Sequence, residues 1–161
     1  MNPERKIDPE KIQIINIKTL KGNIDDGSET DPTTITGYRF KTDLAIALNL
    51  EEKIVGLKLT IHIETLDKNK HELDIKASYT HEFVFRVENL EDFVDPKEED
   101  EKEENIDPLL IGTLAGIAYS TLRGIIITRT QGTPLNAVIL PVIDPKKVTG
   151  LTIEEKAPVN T

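Results

Sequence analysis

The chain has 161 residues, a formal net charge of −9 and no cysteine. That length suffices for one domain with a real core, and the absence of cysteine excludes disulfides, thiolate catalysis and sulfur-ligated metals. The charge is concentrated: residues 91–104, EDFVDPKEEDEKEE, carry nine acidic and two basic side chains, a net of −7 that leaves only −2 for the rest. A near-neutral remainder without a basic stripe lacks the footprint of a nucleic-acid binder or of a helix lying on a membrane surface. Aromatic residues are scarce at 4%, with no Trp, so the core must be aliphatic. The opening residues MNPERKIDPEK contain no apolar run of a secretory leader, which predicts a reducing, cytoplasmic setting.

Residues 10–20 read as a first strand through Ile12, Ile14, Ile15 and Ile17, with a slip of period between Ile14 and Ile15 that predicts a bulge or two-sided burial. The following KGNIDDGSETDPTT is rich in turn residues and reads as a solvated loop; its acidic residues lack the spacing of a calcium loop. From residue 37 to 50 the alternation is clear, with Tyr38, Phe40, Leu44, Ile46, Leu48 and Leu50 on one face. Val55, Leu57, Leu59, Ile61 and Ile63 repeat it, as do Leu73, Ile75, Ala77, Tyr79, Phe83, Phe85 and Val87 after the turn LDKNKHE. Hairpin-length links and one apolar face predict an antiparallel meander of four strands. Such a sheet needs a cover.

The cover is predicted over residues 107–131. Asp107 is a plausible N-cap and Pro108 suits the first helical position. Leu110, Leu114, Ile117, Thr121 and Ile125 form one stripe; Ile111, Ala115, Ala118 and Leu122 form its neighbour. Apolar character over so much of the circumference predicts cover on more than one side. Arg123 interrupts the apolar run fourteen residues after it begins at Leu109, short of the ~20 a bilayer needs, so membrane insertion is not expected. Gly112, Gly116, Ser120 and Gly124 stand four apart. Interior glycines cost a helix about 1 kcal/mol each against Ala, so this small-residue face predicts close approach by another element. Packing within the chain and a helix–helix contact between subunits both satisfy it.

The organisation predicted is one domain over 1–161: an antiparallel sheet in 11–90, an acidic crossover linker in 91–106, the main helix in 107–131, a helix-following loop in 132–150 and a tail in 151–161. The acidic crossover cannot bury enough surface to order itself, although Phe93 and Val94 give its first part an anchor. Gly132 and Pro134 end the helix, AVILPVI follows as strand or extended chain, and residues 144–150 have the length of one helical turn.

The search for catalytic chemistry returns negatives. His62, His71 and His81 have no metal-ligand spacing to one another or to a carboxylate pair, and no P-loop, dinucleotide fingerprint, nucleophile elbow or H-E-x-x-H is present. No cofactor, no metal and no enzymatic activity are expected. What remains is surplus hydrophobic surface on a near-neutral body, which marks a protein contact. A homo-oligomer that buries it all and a groove left open for other chains both account for it.

The helix and the loop after it resemble one known family. Ile117-Ala118-Tyr119-Ser120-Thr121-Leu122-Arg123-Gly124, Thr128-Arg129, Gly132-Thr133-Pro134-Leu135-Asn136 and Leu140-Pro141-Val142-Ile143-Asp144 are similar to the SecB-like family of export and antitoxin chaperones. The resemblance implies an α+β protomer with a four-stranded antiparallel sheet and one long helix on one face. It further implies edge-to-edge pairing of two sheets and helices packed between two dimers, giving a homotetramer. Gly112, Gly116, Ser120 and Gly124 would then belong to the oligomer interface. Phe93, Val94, Leu135, Ile139 and Leu140 would line a hydrophobic groove for unfolded preproteins or an antitoxin. Two features depart from the classical export chaperone. The second helix is reduced to residues 144–150, and the sheet face that docks the SecA motor is acidic in that family but here mixes Lys58, Lys76 and Arg39 with Glu64, Asp74 and Glu82. The expected function is therefore an ATP-independent holdase for export or for an antitoxin. The alternative is a non-catalytic adaptor or structural oligomer with one folded partner.

Overall fold

The computed structural model describes residues 4–97, 99–100 and 104–158. Its centre is an antiparallel sheet of β1 (Ile12–Asp26), β2 (Gly37–Asn49), β3 (Ile54–Leu66) and β4 (Glu72–Val87). After β4 come a two-stranded ribbon, β5 (Val94–Asp95) with β6 (Asn105–Ile106), the helix α1 (Pro108–Arg129) and a last strand, β7 (Leu151–Lys156). The sheet order is β1-β4-β3-β2-β7, so the sheet has five strands rather than four.

That fifth strand corrects the reading of residues 151–161 as a tail. Residues 151–156 pair antiparallel with residues 37–42 of β2. Their short pattern carries little strand signal; β2's unpaired backbone edge supplies the partners that hold them extended. The first strand is also longer than expected, because β4 offers a ladder as far as Ile75, opposite Asp26. The predicted loop thus begins six residues late, at Gly27, where φ is +54° and a Cβ would stand 2.9 Å from Ile75 Cγ1.

The expected irregularity in β1 is present as register shifts between Ile14 and Asn16 and between Thr19 and Lys21. With one extra residue at each, Ile12, Ile14, Ile17, Thr19 and Gly22 fall opposite Val87, Phe85, Phe83, His81 and Tyr79. Directly opposed residues share a face, so the bulges keep Ile12, Ile14 and Ile17 on the helix side despite the broken alternation, with Ile15 the extra residue of the first bulge. At Gly22 a Cβ would reach 3.5 Å from the Tyr79 ring, so the glycine leaves that ring room without strain.

The helix is set by its cap. The Asp107 carboxylate accepts from the Leu109 N–H at 2.8 Å, satisfying one orphan donor of the first turn. Arg5 binds the same carboxylate at 2.9 Å and reaches Asp95 at 2.5 Å, tying the amino-terminal segment to both the ribbon and the helix start. Arg5 and the cap bond hold the Asp107 carboxyl below the usual carboxylate range. Seven side chains of α1, Leu110, Leu114, Ala115, Ala118, Tyr119, Leu122 and Ile126, are buried in one core with Leu57, Leu59, Ile61, Phe83 and Phe85 of the sheet. Each large aliphatic side chain so buried contributes about 2 kcal/mol. The helix is long and apolar enough to cross a bilayer by length and composition, but here one face of it packs on the sheet, while Leu109 and Ile127 stay exposed.

After α1 the chain runs back along the helix. Tyr119 Oη donates to the Pro141 carbonyl at 2.7 Å and Arg123 donates to the same oxygen at 3.2 Å, so AVILPVI is pinned to the helix without joining a sheet. Burial pushes the Tyr119 hydroxyl up to about 12, keeping it a donor. A short 3-10 turn, Pro145–Lys147, follows in place of a second helix. It answers half of the small-residue question: Cβ atoms on Gly112 and Gly116 would lie 3.2 Å from Lys146 and 3.3 Å from Pro145, so the chain's own turn occupies that part of the face. Ser120 is exposed, and nothing lies within 4 Å of a Cβ on Gly124.

Candidate functional site

The residues singled out for a client groove separate in the structure. Phe93, Leu135 and Leu140 are 2%, 0% and 2% exposed and belong to the core of the protomer. Phe93 is held there because the acidic crossover is partly ordered: a 3-10 turn, Leu90–Phe93, buries Leu90 and Phe93, and the Asp107 N–H donates to the Phe93 carbonyl at 2.7 Å. Residues 98 and 101–103 of the crossover lie outside the described residues. Val94 is half-buried, and Ile139, at 61% exposure, is the residue of the five that stands open on the surface. Sequence periodicity cannot tell a groove-lining apolar residue from a core one, because both need the same side chain.

The open apolar feature lies elsewhere. A trough of about 560 Å³ is lined by Ile46 and Leu48 of β2, Lys97 and Glu104 of the crossover, Ile106 of β6, and Pro108 and Ile111 of α1. Three elements build it. β7 pairs with residues 37–42, so, among the described residues, residues 43–49 have a ladder partner on one side alone, in β3. Pro108 and Ile111 of the first turn of α1 and Ile106 of the ribbon face them across the gap. Ile46 is left 44% exposed on the helix side of the sheet. Apolar walls with two charged groups at the rim suit an extended segment with apolar side chains. The three other main clefts are lined chiefly by charged and polar residues.

Sequence reasoning named Ile46 and Leu48 as inward-facing strand residues but missed that Ile46 is left exposed while Leu48 still packs against the core. The signal was the length of β2 against the position of the Asp107 cap, which only tertiary placement makes readable.

A second apolar surface follows β1. Ile14, Ile15, Ile17 and Leu20 are 40–49% exposed along a strand that, among the described residues, pairs with β4 alone. Beside it the buried His81 meets two exposed polar side chains, Thr19 and Arg129. His81 is 1% exposed; its Nε2 lies 3.1 Å from Thr19 Oγ1, which also accepts from Arg129 at 3.3 Å. Thr19 Oγ1 has one proton and two lone pairs, so it can meet His81 Nε2 as donor or as acceptor while accepting from Arg129, and His81 Nδ1 has no partner among the described residues. Burial, with Arg129 adding to it, holds the His81 pKa below its ordinary value.

The outward sheet face is a lattice of opposite charges. Arg39 and Lys41 both bind Glu64, at 3.0 and 2.8 Å, and Arg39 also reaches Glu154 of β7 at 3.0 Å. Burial works against ionisation of Glu64, but Lys41 and Arg39 outweigh it and hold the carboxyl below its ordinary value. Among the described residues no group of three His, Asp or Glu side chains stands close enough to hold a metal ion.

A broad antiparallel sheet with one long capped helix on one face, and an apolar trough open at the helix start, defines an α+β protein of SecB-like fold. The chain superimposes on the Mycobacterium tuberculosis Rv1957 SecB-like chaperone, solved in complex with a ChAD peptide from the Rv1956 HigA1 antitoxin, with a TM-score of 0.60. The match covers 83% of this chain and 91% of that one at 15% sequence identity, so it is the fold that is shared. No family model matches the sequence, and comparison with curated proteins gives no match.

Proposed function

We propose that this protein is an ATP-independent chaperone, a holdase that binds unfolded or aggregation-prone polypeptide in the trough between β2 and the start of α1. The observation that carries this reading is the open apolar trough on a fold shared with a SecB-like chaperone that is itself solved with an antitoxin peptide. Binding would draw on apolar burial at about 25 cal/mol per Å², and release would follow when the client folds or is handed on. The client class is an export precursor or an antitoxin, and the setting is the cytoplasm. The charge-paired outer sheet face favours a role without the SecA motor, since it offers no surface of single sign. The exposed β1 edge and the open helix face at Ser120 and Gly124 support assembly through those surfaces, in the dimer-of-dimers arrangement of a tetramer.

The test is light scattering of a denatured client diluted with and without the protein. Suppression of aggregation at equimolar tetramer is expected; no suppression would sink the holdase reading. The adaptor alternative is separated by a peptide array, on which a holdase binds many apolar segments and an adaptor one. Solution mass by static light scattering checks the tetramer.

A further inference from the structure

We propose that β7 is a displaceable strap: it occupies the β2 edge at residues 37–42 in the resting chain and yields that edge to an extended client segment. This rests on the client-holding reading above and adds to it a competitor built into the chain.

The argument begins with how unevenly the segment is held. Upstream of residue 150 it is anchored: Val148 is 1% exposed, its carbonyl accepts from the buried Thr42 hydroxyl, and Pro145 packs over Gly116. Beyond Gly150, whose φ of +65° marks a turn, no side chain of β7 is fully buried; Leu151 and Ile153 are half-buried and the rest are exposed. What holds β7 is the ladder, the ion pairs of Glu154 with Arg39 and with the exposed Lys70, the half-buried Leu151 and Ile153, and at its end Ala157, which packs against the core and whose N–H donates to the Thr36 carbonyl at 2.9 Å. A strand with few buried contacts opens at low cost, and the anchor at Val148 lets it do so without disturbing the core.

The same edge continues into the trough. The Ala157–Thr36 bond fixes the alternation: even-numbered residues of β2 turn their N–H and C=O toward β7. The unbroken β2–β3 register carries that alternation on to Leu44, Ile46 and Leu48, beyond the end of β7. Ile46 and Leu48 also line the trough, so one stretch of strand presents both apolar side chains and unpaired backbone. β7 shows what the edge accepts, an antiparallel extended segment. A client entering at residues 43–49 meets β7 end on, and extending its own ladder requires β7 to leave.

The test exploits the absence of native cysteine. Arg39 and Glu154 are opposed, and by the same alternation they form a non-hydrogen-bonded pair, for which Cα atoms stand ~4.5 Å apart, within disulfide range. The full chain carrying R39C and E154C is compared oxidised and reduced, with fluorescently labelled, reduced and carboxymethylated lactalbumin as the unfolded probe. The reduced form is expected to bind, and the oxidised form to bind about tenfold more weakly or worse. Equal binding by both forms overturns the strap and leaves the holdase reading standing. Binding by neither form, together with none by the unsubstituted chain, ends the holdase reading and the strap with it. On the unsubstituted chain, saturating probe should speed amide exchange in residues 151–156; unchanged or slower exchange counts against displacement.

Discussion

The middle of the sheet and its two edges are made of similar residues and live under opposite conditions. In β3 and β4, Val55, Leu57, Leu59, Ile61, Ile63, Phe83 and Phe85 are at most 1% exposed, sealed by α1 on one side and by ladder partners on both flanks. In β1, Ile14, Ile15, Ile17 and Leu20 remain 40–49% exposed, and at the end of β2 Ile46 is at 44%. One helix covers the middle strands but not the margins. The centre carries stability, and the margins carry the apolar surface available to other chains.

The sharpest test of that contrast pairs Leu114, fully buried against the central strands, with Ile46 in the trough. Leu114→Ala should cost about 3 kcal/mol, read as a lowered denaturation midpoint with unchanged slope. Ile46→Asp should leave stability within about 0.5 kcal/mol while weakening the unfolded probe, measured by fluorescence anisotropy. Equal destabilisation by both would erase the distinction between centre and margin.

Next in size is the helix cap at the border of the two regions. Asp107→Ala should cost about 1 kcal/mol through the lost cap, with a further loss of order where Arg5 ties the ribbon down. Because the Asp107 carboxyl titrates lower in the folded chain, its contribution is complete above pH ~4 and disappears as pH falls through the lowered folded value. The difference between the two proteins should therefore close in acid.

Gly124→Ala sharpens the comparison on the helix itself. In the protomer no atom lies within 4 Å of the added Cβ, so the substitution should stabilise the monomer by up to about 1 kcal/mol. If this face meets a second subunit, the solution mass should fall at the same time. Unchanged mass would confine the small-residue face to the chain's own turn at Pro145 and Lys146.

The smallest effect concerns His81 under the β1 margin. Its folded pKa is lowered by burial, so the neutral form's stability is complete above pH ~6.5 and declines as pH falls below it. Protonation would also set a second cation beside Arg129. Chemical denaturation of the chain at pH 7.5 and 5.5 should show this decline, and His81→Leu should flatten it.

Much of this architecture was legible from local pattern. The period-two runs at Tyr38–Leu48 and Ile75–Val87 gave strands, the slip at Ile14–Ile15 gave a bulge, and the Asp107-Pro108 pair gave the helix start, each within a few residues of its place. The site was not. Leu135 and Leu140 look no different in sequence from Ile139, yet two are core and one is open, because that outcome depends on where the Pro141 carbonyl is pinned against Tyr119 and Arg123.

By itself the chain's order of residues determined which segments are extended, which is helical, and which side of each is apolar, since those follow from backbone geometry and side-chain periodicity over a few neighbours. Tertiary structure alone decided that residues 151–156 become a fifth strand, that the cover stops short of Ile46, and that Gly112 and Gly116 receive the chain's own turn. Each depends on which distant backbone or surface packs there, and that is settled between elements far apart in the chain.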